Sequence, residues 1–162
     1  MHLAVPVATS LSQLDTFLRR IWLECCGHMS AFEIEEQRYS VQPMKEYGEV
    51  GMSARLGKIL QPGMAFSYEY DFGSTTELEL KVIGMLERGK TKGAVELLAR
   101  NDAPPVVCQL CGAEPATQIC SECAWKDKGW LCQGCAKSHA CGTEMCLPVV
   151  NSPRAGVCAY AG

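Results

Sequence analysis

The sequence predicts an α+β fold in which one helix packs on a mostly antiparallel sheet, with a small cysteine-rich domain at the C-terminal end. Three observations carry that expectation. Apolar residues recur at helical spacing from Leu11 to Cys25, two later segments alternate with a period of two, and nine of the 11 cysteines follow residue 107.

The helix comes first. Leu11, Leu14, Phe17, Leu18, Ile21, Trp22 and Cys25 form one apolar stripe at three- and four-residue spacing, best explained as a core-facing surface. Ser10 and Gln13 fit a capping box at its start, and Gly27 is placed to end it. Cys25 and Cys26, at the helix end, read as small buried hydrophobes. In 65–72, AFSYEYDF, Phe66, Tyr68, Tyr70 and Phe72 alternate with smaller or polar residues, and this aromatic face reads as core. In 77–83, ELELKVI, Leu78, Leu80 and Val82 share a face, and the intervening GSTT makes the two segments a hairpin. HMSAFEIE (28–35) reads as a third strand and LAVPVA (3–8) as a weaker one. AVELLARN (94–101) continues as a strand, with a helix as the alternative on propensity.

One stretch matches a catalytic pattern. GMLERGKT (84–91) satisfies G-x-x-x-x-G-K-[ST] through Gly84, Gly89, Lys90 and Thr91. A phosphate-binding loop leaves a buried parallel strand, whereas the preceding segment alternates like a half-exposed antiparallel one. Thr91 is followed too closely by NDAPP for further βα units, and no apolar run ending in Asp supplies a magnesium ligand downstream. The stretch reads as a solvent-exposed turn, and a small P-loop NTPase is the remotest functional alternative.

NDAPP (101–105) has linker chemistry and separates an α+β domain, 1–104, from a cysteine-rich domain, 105–162. Residues 1–105 hold 11 Lys/Arg against 14 Asp/Glu, and residues 106–162 hold 4 of each, in keeping with the net −3. Neither part has the basic excess of a phosphate-backbone binder, so nucleic acid is disfavoured as a partner. No apolar run reaches the ~18 residues of a membrane helix. The N-terminal stretch lacks the basic start of a secretory signal, so a cytoplasmic location without membrane association is expected.

In that setting the cysteine clustering argues for metal rather than disulfides. From Cys108 the pattern is C-x₂-C-x₈-C-x₂-C-x₈-C-x₂-C-x₃-H-x-C, comprising Cys108, Cys111, Cys120, Cys123, Cys132, Cys135, His139 and Cys141. Zinc takes four nitrogen or sulfur ligands in a closed structural site, so eight ligands imply two Zn²⁺ ions. Sequential pairing joins the first two CxxC pairs, then the third with His139 and Cys141. A cross-brace instead joins the first with the third, and the second with His139 and Cys141. The spacing resembles that of MYND and B-box cross-brace fingers, which favours the second scheme. Cys146 or Cys158 could replace Cys141, because H-x-C is a tight pair. A domain of this size with few aliphatics would rely on the metal for its folding energy. Nothing in the pattern designates a catalytic residue. Trp125 and Trp130 flank the central loop, either covering the metal cores or forming an exposed contact.

The N-terminal part resembles the plasmid ORF-3-like family over about residues 10–100. The resemblance is carried by the capped helix, HMSAFEI, LGKILQPG and the Y-x-Y-D-F-G segment at Tyr68, Tyr70, Asp71, Phe72 and Gly73. Ser74 stands where that family usually has Asp, the N-terminal strand is abbreviated, and the helix ends in an atypical ECCG. The resemblance implies an α+β fold and a prokaryotic setting, on plasmids, beside transposase genes or on chromosomes, without an activity. Asp71 and Gly73 read as turn residues.

Together these features lead to a non-enzymatic zinc-binding protein that acts as an adaptor toward a protein partner. A nucleic-acid-associated factor of a mobile element is the alternative.

Overall fold

The computed structural model describes residues 1–87 and 93–162. They form two compact units, Met1–Ile21 with Gly27–Asn101, and Trp22–Cys26 with Asp102–Gly162. The break at Asn101 and Asp102 lies inside NDAPP. The short segment Trp22–Cys26, which no change of composition marks, belongs to the second unit.

The first unit is α+β. Strand β1 (His2–Ala4) precedes helix α1 (Leu11–Leu18), which Ser10 and Gln13 cap reciprocally. Ser10 Oγ accepts the Gln13 N–H at 3.3 Å, and Gln13 Oε1 accepts the Ser10 N–H at 2.9 Å. A π-helical turn, Arg19–Leu23, follows, so the helix ends two residues before Cys25. The wider turn also moves the apolar stripe. Leu11, Leu14, Leu18 and Leu23 are buried, while Phe17, Ile21, Trp22 and Cys25 are only half-buried.

The main sheet contains β2 (Ser30–Ile34), β3 (Gln37–Ser40), β4 (Val50–Gly51), β5 (Ala65–Tyr70) and β6 (Thr76–Lys81) in the order β4-β3-β2-β5-β6. Only the β3–β4 pairing is parallel. A short helix, α2 (Leu56–Ile59), precedes β5. The aromatic alternation of β5 is core: Phe66, Tyr68 and Tyr70 are buried, and the ring of Phe32 in β2 packs tilted against that of Tyr68, centroids 4.6 Å apart. Helix α1 is tied to the sheet by the buried Asp15, whose Oδ1 accepts from Ser30 Oγ at 2.6 Å and from the Tyr68 hydroxyl at 2.7 Å. Burial, and then the Asp15 charge, push the Tyr68 hydroxyl well above its ordinary pKa, so it stays a donor.

The β5–β6 hairpin turns through Asp71, whose φ of 64° is left-handed, and Asp71 Oδ1 accepts the Gly73 N–H at 3.1 Å. The positive φ therefore falls on Asp71 rather than on Gly73. Beyond this bend Phe72 leaves the aromatic face and is exposed, with the Arg38 guanidinium 4.9 Å above its ring. Arg38 also pairs with Glu69 at 2.7 Å, Glu49 at 3.3 Å and Glu33 at 3.7 Å.

Strand β7 (Glu96–Ala99) confirms the extended reading of AVELLARN, but it pairs antiparallel with β1 rather than with β6. The β6 strand is an antiparallel edge, unlike the buried parallel strand that feeds a phosphate-binding loop. Gly84–Glu87 have no regular structure, and the remainder of the GMLERGKT match, with Gly89, Lys90 and Thr91, lies outside the described residues.

The second unit has a three-stranded antiparallel sheet of β8 (Gln118–Cys120), β9 (Trp130–Leu131) and β10 (Cys146–Pro148), with β8 central. A single short helix, α3 (Gln133–Lys137), follows β9. Cys108, Cys120, Leu131, Cys132 and Ala136 form its buried core, and Cys123, Cys135, Cys141, Met145 and Cys146 pack around them. This interior is sulfur-rich, and Leu131, Ala136 and Ile119 are its buried aliphatics. No helix among the described residues is long and apolar enough to cross a membrane.

Candidate metal centre

The second unit gathers the eight candidate ligands into two interleaved groups. Cys108, Cys111, Cys132 and Cys135 form one; Cys120, Cys123, His139 and Cys141 form the other. Within each group the ligand atoms lie within 4.8 Å of one another. The first CxxC meets the third across 21 residues, which is the cross-brace arrangement rather than the sequential one.

Local backbone geometry aims these side chains. The first knuckle closes when the Gly112 N–H donates to the Cys108 carbonyl at 2.9 Å and the Cys108 N–H donates to Glu114 O at 2.8 Å. Gly112 takes a φ of 68°, which glycine adopts without penalty. In the third pair, Cys132 is the N-cap of α3 and its Sγ accepts the Cys135 N–H at 3.4 Å. Cys120 ends the central strand β8, and the Cys123 N–H returns to its carbonyl at 3.2 Å. Gly129 completes that turn by accepting the Cys120 N–H at 2.9 Å. A Cβ on Gly129 would meet Ala124 N at 2.5 Å and Cys120 O at 2.9 Å, so only glycine fits there.

The sulfur spacing suits zinc. With Zn–S bonds of ~2.3 Å, the edges of a tetrahedron are about 3.8 Å long. Cys111 Sγ lies 4.0 Å from Cys132 Sγ, and Cys123 Sγ lies 3.6 Å from Cys141 Sγ. These separations are far beyond the ~2.05 Å of a disulfide. In the second group His139 Nε2 is buried with no hydrogen-bond partner among the described residues. A buried ring nitrogen without a partner is costly, and coordination of a metal by the imidazole would account for an otherwise unsatisfied site.

The thiols differ in how readily they ionise. Backbone N–H groups, that of Cys111 foremost, pull the Cys108 thiol down to about 6. Cys111 is also lowered, first by the Glu114 backbone. Hydrogen bonding to Cys132 pushes Cys135 up to about 12, and the same relation to Cys123 pushes Cys141 up to about 11. Mutually close thiolates, four in the first group and three in the second, repel, so each cluster without a cation shares its protons between partners.

Cys146 is outside both groups. Its thiol approaches the Gly142 carbonyl at 3.7 Å, and burial raises its pKa. Cys158 lies with Cys25 and Cys26 instead. Cys141 is therefore the thiol that joins Cys120, Cys123 and His139. Cys25 is half-buried and Cys26 exposed, which corrects the expectation that both fill a core. The π turn ends the helix before them and leaves them on an irregular segment. Of the two tryptophans flanking the central loop, Trp125 is exposed and Trp130 half-buried.

The capped helix, the Tyr-x-Tyr-Asp-Phe-Gly hairpin and the antiparallel sheet now have a counterpart among known proteins. The family model described as "Plasmid pRiA4b ORF-3-like protein" matches residues 2–121. The chain belongs to that family. In this plasmid ORF-3-like protein the matched stretch runs past the α+β unit and takes in Cys108, Cys111 and Cys120, while the remaining candidate ligands lie beyond it. Comparison with curated proteins and with solved structures yields no match.

Proposed function

We propose that this plasmid ORF-3-like protein is a non-enzymatic zinc protein whose cysteine-rich unit, stabilised by two Zn²⁺ ions, presents a surface to a protein partner. The interleaved grouping of the eight ligands carries the reading. Each group supplies four donors, which is the composition of a closed structural site and leaves no position for a substrate or an activated water. The sulfur-rich interior supports the same role, because its core of Cys108, Cys120, Leu131, Cys132 and Ala136 contains little apolar carbon to bury. Metal binding would supply the missing folding energy.

The partner class rests on two features. Seven thiolates and a neutral imidazole outweigh the four charges of two zinc ions. The otherwise neutral cysteine-rich part thus becomes acidic, unlike a nucleic-acid binder. Trp125 stands 69% exposed on the short turn between the second and third CxxC pairs, and tryptophan is a residue type enriched at interface hot spots. Affinity capture with the intact zinc-loaded chain, compared with its Trp125→Ala variant, tests this. A polypeptide retained by the parent and lost from a variant of unchanged zinc content supports the adaptor reading. Recovery of nucleic acid instead, in a salt-dependent manner, contradicts it.

A further inference from the structure

Three cysteines outside the eight ligands converge in the second unit. Cys25 and Cys26 are adjacent on the segment Trp22–Cys26, and Cys158 belongs to the C-terminal tail. Cys26 Sγ lies 3.7 Å from Cys25 Sγ and 3.6 Å from Cys158 Sγ, across a separation of 132 residues. We propose that Cys25, Cys26 and Cys158 bind a third zinc ion, distinct from the two of the cross-brace.

Geometry is the first argument. Both sulfur separations match the ~3.8 Å edge of a tetrahedral zinc–thiolate site. They are also the separations found in the second cross-brace group, where Cys123 and Cys141 stand 3.6 Å apart. The three sulfurs are therefore arranged like ligands already drawn around a common centre.

Accessibility is the second argument. Buried cysteines act as small hydrophobes, but Cys26 and Cys158 are exposed and Cys25 is only half-buried. Desolvation of apolar surface does not explain why they meet. The surrounding chain nevertheless fixes their approach. Ser152 Oγ donates to the Trp22 carbonyl at 2.6 Å, and Arg154 and Tyr160 are buried on either side of Cys158. Cys158 and Ala159 both hold left-handed φ values, 49° and 55°, a conformation that side-chain-bearing residues maintain only when their surroundings require it.

The chemistry balances without an oxidant. Zn²⁺ displaces whatever thiol protons remain on the three cysteines, three Zn–S bonds form, and no electron moves. Three thiolates leave the fourth coordination position for water. A site of this kind joins the Trp22–Cys26 segment to the tail near Cys158, a closure spanning most of the chain.

The test uses the full-length chain, purified anaerobically with reductant, supplied with zinc chloride and freed of excess metal. Elemental analysis should find about three zinc ions per chain, one for each thiol group, and C26S/C158S should hold one fewer. Thiol titration after denaturation should count all 11 cysteines as free. A parent with two ions whose content is unchanged in C26S/C158S overturns the proposal. So does a parent with two thiols missing that C158S restores, because a Cys26–Cys158 disulfide would then account for the proximity. If C26S/C158S does not fold, Co²⁺ titration of the Cys158→Ala chain replaces it. One thiolate–Co²⁺ equivalent should be lost or spectrally shifted, and an unchanged spectrum overturns the site. Failure of the cross-brace reading would look different, since C108S/C120S would then lose one ion or none instead of two.

Discussion

Cys111 Sγ and Cys132 Sγ lie 4.0 Å apart although 21 residues separate them in the chain. That contact joins the first CxxC pair to the third and forces the second pair toward His139 and Cys141. An interleaved pair of sites cannot be dismantled one loop at a time, because the second ligand pair lies between the two pairs of the first ion and the third pair between those of the second. Removal of zinc should therefore unfold the cysteine-rich unit as a whole. With a strong chelator, we expect the near-ultraviolet signal of Trp125 and Trp130 to collapse while the far-ultraviolet signal of the α+β sheet persists. Circular dichroism before and after chelation, with zinc added back, checks this. Loss of both signals together would mean that the two units do not respond separately.

Zinc affinity should rise with pH across the neutral range. Without metal, Cys135 is held up at about 12 and Cys141 at about 11 by neighbouring thiols, so both are protonated at neutral pH. The metal requires thiolates, so binding expels those protons, and raising the pH lowers the cost of doing so. Cys108, pulled down to about 6, is already ionised above that value and contributes little to the release. Calorimetry in buffers of different ionisation enthalpy should report a net proton release on zinc binding throughout the neutral range. Uptake of protons, or none, would contradict the assignment.

Gly129→Ala should weaken the second site. The added Cβ would meet Ala124 and Cys120 backbone atoms at 2.5–2.9 Å, and backbone cannot yield as a flexible side chain does. We expect a loss of about 1–3 kcal/mol of stability, the range for overpacking a tight site. Zinc retention against a graded chelator series should fall first at the Cys120–Cys123–His139–Cys141 group. Equal retention in the variant would show that the turn relaxes.

In the α+β unit, Tyr68→Phe should be destabilising and Asp15→Ala more so. The first change removes one of two donors to Asp15 Oδ1, at about 1 kcal/mol, whereas the second leaves two buried hydroxyls, those of Tyr68 and Ser30, without their acceptor, at about 2–4 kcal/mol. Urea unfolding followed by far-ultraviolet circular dichroism gives the order. A milder Asp15→Ala would mean that water replaces the carboxylate.

The elements that alternate over several residues were legible in the sequence. The Phe66–Tyr70 alternation and the Ser10–Gln13 capping box are local patterns, and both appear as read. Strand β3 was not legible: Gln37–Ser40 has no apolar alternation and exists through pairing with β2, helped by Arg38 reaching Glu33, Glu49 and Glu69. The helix end was missed for a similar reason, since a π turn carries no periodic signature and moves Leu23 into the position expected of Trp22. In the metal centre the residue types and spacing were plain. The pairing was not, because equal eight-residue gaps between successive CxxC pairs serve either scheme. The meeting of Cys26 with Cys158 is wholly tertiary; the only trace in the sequence is that neither thiol has a place among the CxxC pairs.

Zinc content of two reciprocal double variants tests the interleaved pairing most directly. C108S/C132S strikes one group and C108S/C120S strikes both, whereas sequential pairing reverses that relation. Elemental analysis of the full-length chains should find one ion lost from C108S/C132S and two from C108S/C120S. Two lost from the first variant and one from the second would contradict the account.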